Sequence, residues 1–274
     1  MSAVNAFLAS LVDTVLSPFA RQPPLVGLTV VSLGLALVML LVVRATSNQA
    51  GVVAVKRAIQ ACVFEIRLFN DDLVAMLRAL TELARHNLTY LRLSLVPVLW
   101  MAIPIGLLIA HLHFHYAYRG LDVGQATVVT VRLAHPQDPA AARPILTVPG
   151  GLRVETPAVW IPSLREAAWR ISAERAGSYE LTVTVAGEVV AKSVQVSGAT
   201  TRRSPLRAGA GLLGQLANPA EPPLPDGSSV ESIAVTYPSR GIGLFGYELH
   251  WMLVLFALST VFALVLRRPF RVVL

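Results

Sequence analysis

The chain has 274 residues, of which 54% are hydrophobic and only 14% charged, and its mean hydropathy is +0.61. That balance excludes an ordinary soluble domain and a disordered chain. The net charge of +7 comes from cations dispersed singly or clustered beside apolar runs, which argues for lipid headgroups and against DNA. The single cysteine, Cys62, excludes a disulfide framework.

Residues 1–20 place Phe7, Leu8, Leu11, Val12, Val15 and Leu16 at helical spacing and stop near Pro18. This predicts a short amphipathic helix on the outer membrane surface. With no basic n-region, and with Asn5 and Asp13 interrupting the apolar positions, a cleaved signal peptide is not expected. Residues 25–43 then run for nineteen positions without a charge, and 93–112 and 248–266 supply two more apolar stretches. At about 1.5 Å rise per residue, each can cross a hydrocarbon core of roughly 30 Å. Three transmembrane helices are the expectation.

Between the first two spans, residues 44–92 contain no proline and carry Arg44, Lys56, Arg57, Arg67, Arg78, Arg85 and Arg92 against Glu65, Asp71, Asp72 and Glu82. Positive charge beside membrane helices marks the cytoplasmic side, and Arg267, Arg268 and Arg271 repeat the signal in the tail, 267–274. The predicted topology puts the N-terminus outside, the arm inside, the middle domain outside and the C-terminus inside. Val55, Ile59, Val63 and Ile66, then Leu73, Met76, Leu77, Leu80, Leu83, Leu88 and Leu91, predict two amphipathic helices. They pair as an antiparallel, coiled-coil-like arm with the apolar stripe as their seam, and Asn70 or Asp71 caps the second. That second helix is expected to run nearly straight into the second span.

Pro97 and Pro104 fall inside that span, where each removes a helical hydrogen bond and frees a carbonyl, a feature suited to a cavity wall. In the first span Thr29 and Ser32 are either packing residues or hydroxyls facing a hydrated groove. His111, His113 and His115 would share one face of a strand but not of a helix. Rings at a headgroup boundary account for them more simply than a metal site.

Residues 121–240 change character. Ala126–Leu133, Ile145–Val148, Trp169–Ala173, Tyr179–Val185, Val189–Val196 and Val230–Thr236 are β-rich runs divided by Gly and Pro, and Ala186-Gly187-Glu188 is a hairpin connection. They predict an extracytoplasmic all-β domain, an immunoglobulin-like sandwich with Trp169 in its core. Ala199 to Gly227, rich in Pro, Gly and small residues, reads as a long loop or an excursion along the membrane. No phosphate loop, nucleophile elbow, zinc-protease spacing or intramembrane carboxylate pair occurs, so no catalytic residue, metal or cofactor is assigned and an enzyme is not expected.

The order of parts resembles the YidC/Oxa insertase superfamily, nearest its small branch of archaeal insertase-like proteins and the insertase subunit of the ER membrane protein complex. The residues that carry the likeness are Val4-Asn5-Ala6-Phe7-Leu8 through Leu16-Ser17-Pro18-Phe19, Pro23-Pro24-Leu25-Val26 before Val31-Ser32-Leu33, Leu93-Ser94-Leu95-Val96-Pro97, and Ile103-Pro104-Ile105. The likeness covers residues 1–112 and 247–274. It implies a non-enzymatic insertase or membrane chaperone of a bacterial inner membrane, with a hydrated groove through which nascent membrane proteins enter the bilayer. Thr29, Ser32, Pro97, Pro104, Ser259 and Thr260 are then candidate groove residues. Lys56, Arg57, Arg67, Arg78 and Arg85 become arm contacts for substrate or ribosome. The alternative is a structural or assembly subunit of a larger membrane complex, docking through the β domain, with homo-oligomers also allowed. An envelope sensor is a third, weaker reading.

Overall fold

A computed structural model describes residues 2–69, 71–134, 143–209, 211, 218–244 and 246–270. The chain forms two compact units, one from Met1–Gly27 with Leu107–Leu253, the other from Leu28–Gly106 with Val254–Leu274.

Five α-helices are described: α1 (Ser2–Leu16), α2 (Pro24–Thr46), α3 (Gln49–Leu68), α4 (Leu73–Tyr116) and α5 (Trp251–Phe270). Three of them, α2, α4 and α5, are long and apolar enough to cross a membrane. Only 11–28% of their most apolar windows is buried, so side chains such as Val38, Leu41, Trp100, Ile103, Phe256 and Val265 face outward. Water would penalise such a surface and lipid does not.

Local chemistry sets the helix ends. Pro24 opens α2, where a missing N–H costs nothing. Asn48 caps α3 by accepting from the Gly51 amide at 2.9 Å. Asp72, rather than the expected Asn70 or Asp71, caps α4: its Oδ1 accepts from the amides of Val74 and Ala75 at 2.9 and 3.2 Å. Asn70 lies outside the described residues. The 44 residues of α4 form one helix through Pro97 and Pro104, so the second arm helix and the second span are a single element.

The pairing of α3 and α4 differs from the expected seam. The stripe that turns inward on α4 is Met76, Ala79, Leu83, His86, Tyr90, Ser94, Pro97 and Met101, all buried or half-buried. Leu73, Leu77, Leu80, Leu88 and Leu91 form a second stripe, each 42–69% exposed. Small Ala79 (1% exposed) on α4 and Cys62 (5%) on α3 are among the arm's few buried side chains. The wide leucine stripe lies to one side of the inward one.

In the first unit, β1 (Ala126–Leu133), β3 (Leu152–Val154), β4 (Val159–Ile161), β5 (Glu166–Ala173), β8 (Leu206–Ala208) and β9 (Val230–Val235) form a sheet of order β3-β5-β1-β9-β8, with β4 also on β5. A second sheet has the order β2 (Ile145–Thr147), β6 (Gly177–Val185), β7 (Glu188–Val196). A hairpin of β10 (Ile242–Leu244) and β11 (Tyr247–Leu249) leads into α5. All described pairings are antiparallel. Alternate residues of both larger sheets, among them Val129, Val131, Trp169, Ile171, Leu181, Val183, Val194 and Ile233, form one apolar core.

Val185 pairs with Glu188, so the β6–β7 turn is the two residues Ala186 and Gly187, at φ 49° and 85°. Positive φ at both positions is the twist-matched hairpin geometry. The free edge of β7 is closed by side chains and loops. Ser193 N–H donates to Glu221 Oε1 (2.8 Å), Gln195 N–H to the Tyr237 hydroxyl (3.0 Å), and the Gln195 carbonyl accepts from Leu121 N–H (3.1 Å). A capped edge cannot recruit another strand.

Candidate functional site

The second unit holds a cavity of about 370 Å³ lined from α2 by Met39 and Val43, from the α2–α3 junction by Ser47, from α3 by Val52, and from α4 by Tyr90, Ser94, Pro97, Val98, Met101, Ala102 and Ile105. The α4 positions recur at intervals of three and four, so one face of that helix forms the wall over four turns. This face continues the inward stripe of the arm.

Its chemistry is mixed in a particular way. Met39 and Met101 are unbranched and polarizable, and adapt to irregular apolar surfaces. Ser47, Ser94 and Tyr90 add three hydroxyls. Because Pro97 has no N–H, the Leu93 carbonyl loses its partner one turn back, beside Ser94. Lys56, one turn along α3 from Val52, holds its ammonium 5.6 Å from the centroid of the Tyr90 ring. The site is an apolar volume with a few acceptors and donors and one adjacent cation. It has no nucleophile–base pair, and no group of three potential metal ligands occurs among the described residues.

Of the six candidate groove residues, the structure brings only Pro97 to this cavity. Ser32 is buried and donates to the Leu28 carbonyl at 2.7 Å, and Ser259 is buried and donates to the Phe256 carbonyl at 3.1 Å. Both hydroxyls are thus spent on their own helices. Thr29 is half-buried, and Pro104 and Thr260 are exposed. The cavity residues that sequence reasoning missed, Tyr90, Ser94 and Met101, share the three-and-four spacing of Pro97. That spacing was their one signal.

On the arm, Arg57, Arg67, Arg78 and Arg85 are exposed and, among the described residues, have no carboxylate at ion-pair distance. Arg78 and Arg85 share α4 with the leucine stripe, and both the arginines and the leucines are exposed among the described residues.

The histidines belong to the first unit and to a helix, not a strand. His111 and His115 are buried and are therefore not rings exposed at a headgroup boundary. His115 Nε2 lies 2.9 Å from Asp13 Oδ1, and Arg202 Nη2 lies 3.4 Å from Asp13 Oδ2. Burial raises the Asp13 pKa, but the His115 hydrogen bond and the Arg202 charge outweigh it and hold the carboxyl below its ordinary value. This cluster fixes α1, whose Ala9, Val12 and Leu16 are buried while Phe7, Leu11 and Val15 remain exposed.

No protein-family model, no curated protein and no solved structure matches the chain.

Proposed function

We propose that this protein is an insertase-like membrane protein that receives apolar segments of nascent membrane proteins on its arm and passes them along α4 toward the bilayer. The observation that carries this reading is the cavity of about 370 Å³ on the inward face of α4, with its methionines, three hydroxyls and freed Leu93 carbonyl. A polar flank crossing hydrocarbon costs several kcal/mol per charge at the bilayer centre. A partly polar recess beside a membrane helix lowers that cost, and the exposed leucines and arginines of the arm offer a first docking surface. Arg44 at the end of α2 and Arg267 and Arg268 at the end of α5 support a cytoplasmic arm and C-terminus. We read the two sheets that share one core as an immunoglobulin-like sandwich outside the membrane.

The test is photocrosslinking during synthesis of membrane proteins, with a photoreactive residue at Ser94 or Met101 and at lipid-facing Val265 as control. Crosslinks from the cavity positions to varied nascent chains are expected. Crosslinks to one mature protein alone would overturn the insertase reading in favour of an assembly subunit, an alternative that draws on exposed Val159 and Leu164 around β4.

A further inference from the structure

The first unit contains a second recess, independent of the α4 cavity, of about 470 Å³. Its lining includes Pro24, the first residue of α2; Arg119 and Asp122, just past the end of α4; Ser239 and Arg240, before β10; and Glu248 in β11, just before α5. The segments carrying the two arginines are tied together. Arg119 N–H donates to the Pro238 carbonyl (3.0 Å), Arg240 N–H to the Ala117 carbonyl (2.9 Å), and Tyr118 pairs with Ser239.

Arg240 is only 9% exposed. Its guanidinium donates to Thr200 Oγ1 at 2.7 Å and to the Gly198 and Ala199 carbonyls at 3.5 and 3.4 Å, all neutral. Arg203, 1% exposed, also has only carbonyl partners: Tyr118, Thr201, Ser197 and the same Ala199 oxygen. Its Nε has no hydrogen-bond partner among the described residues and stands against Gly120, another lining residue of the recess. Two buried positive charges converge on one carbonyl, and neither meets a carboxylate among the described residues. Such charges call for an anion. The lining also holds two carboxylates: Asp122 pairs with Arg119 at 3.5 Å, while exposed Glu248 has no cationic partner among the described residues.

The location selects the ligand. Pro24, Arg119 and Glu248 all lie at ends of membrane-spanning helices, and Tyr247, beside Glu248, is 74% exposed, as an aromatic at a headgroup boundary would be. Val26, Met252 and Leu253 offer exposed apolar surface in the first turns of α2 and α5. We propose that this recess binds the zwitterionic headgroup of a phosphoethanolamine lipid. The phosphate faces Arg240 and Arg119, the ammonium donates to Glu248, and the acyl chains follow the apolar helix surfaces. A phosphoglycerol headgroup leaves Glu248 without its cation, and a phosphocholine has no N–H to give it.

The full chain would be extracted, incubated with equimolar dioleoyl phosphatidylethanolamine, phosphatidylglycerol and phosphatidylcholine, and weighed by native mass spectrometry. Ethanolamine-lipid adducts should exceed each of the others by roughly tenfold, the worth of one charge-assisted hydrogen bond. E248Q should bring ethanolamine and choline lipids to parity, and R119Q should lower retention of all three. Both side chains are exposed, so unfolding temperatures should stay at the wild-type value. Equal retention of the three lipids by the wild type, or an undiminished preference in E248Q, would overturn the proposal. Displacement of the lipid by millimolar soluble phosphoethanolamine would overturn the lipid as source. None of these outcomes depends on insertase activity.

Discussion

The β domain and the helical arm treat their surfaces in opposite ways. In the β domain even a lysine is placed under cover: Lys192, fully buried, donates to Glu221 Oε2 at 2.5 Å and to the Ser204 carbonyl at 2.6 Å, and the same carboxylate caps the β7 edge through Ser193. In the arm, leucines and phenylalanines stand exposed, with Phe64 at 68% and Leu68 at 73%, and Arg57, Arg67, Arg78 and Arg85 have no ion-pair partner among the described residues. A region that pairs its buried lysine and caps its β7 edge is closed on that side. One that leaves apolar side chains bare offers a surface, here the receiving surface proposed above.

The sharpest way to break the contrast is to open the closed body. Glu221→Ala leaves the Lys192 ammonium buried without its carboxylate, and should cost about 3–5 kcal/mol, read as a fall in the unfolding temperature of the purified protein. A small effect would mean that the β domain is less sealed than the geometry states. The pH dependence follows from the same pair. Burial pushes the Glu221 pKa up, but the Lys192 charge and the hydrogen bonds from Lys192 and Ser193 prevail and hold it below the ordinary value of 4.5. A carboxyl depressed in the folded state contributes stability that is fully present above its unfolded value and lost as pH falls through the folded one. The wild type should therefore lose stability below about pH 4.5 more steeply than Glu221→Ala.

A small buried residue of the arm gives the next largest effect. Ala79 is 1% exposed, and Ala79→Leu adds three carbons with no room for them, at about 1–3 kcal/mol. If the variant is as stable as the wild type, the two helices are not packed at this level. Within the β domain, Ala186 occupies the left-handed region at φ 49°, where Asn is better tolerated. Ala186→Asn should raise stability by about 0.5–1 kcal/mol; a loss would show that the turn depends on something other than backbone conformation.

These positions also mark what the sequence discloses. Tyr179 to Val185 was legible because one face of the strand meets the core and the other does not, and the observed strand adds only Gly177 and Ser178. The short strands β3 and β4 were not: β3 is broken by Arg153 between its two apolar residues, and β4 stands between Pro157 and Pro162. The long helices followed from apolar runs, but the rotation of α4 did not. Hydropathy ranks leucine high and so picks out the exposed stripe, whereas the inward face contains His86, Tyr90, Ser94 and Pro97, which a search for apolar periodicity discards. Of the candidate groove residues only Pro97 reaches the cavity, because a hydroxyl inside a helix can be satisfied by its own backbone, as in Ser32 and Ser259.

The smallest expected effect on stability tests the open side of the comparison. Leu77 and Leu88 are 53% and 69% exposed, so Leu77→Ser with Leu88→Ser removes little buried area and should change the unfolding free energy by less than about 0.5 kcal/mol per site. If the stripe is a receiving surface, the same pair should sharply reduce nascent-chain crosslinks from a photoreactive residue at Arg78. Crosslinks from Met101 should fall as well, since a segment that fails to dock on the arm does not reach the cavity. Should the Arg78 signal survive while the stability drops, the leucines would be structural, buried by a partner or a second copy, and the arm would be a closed body too. Stability and capture must move independently for the contrast between the two regions to hold.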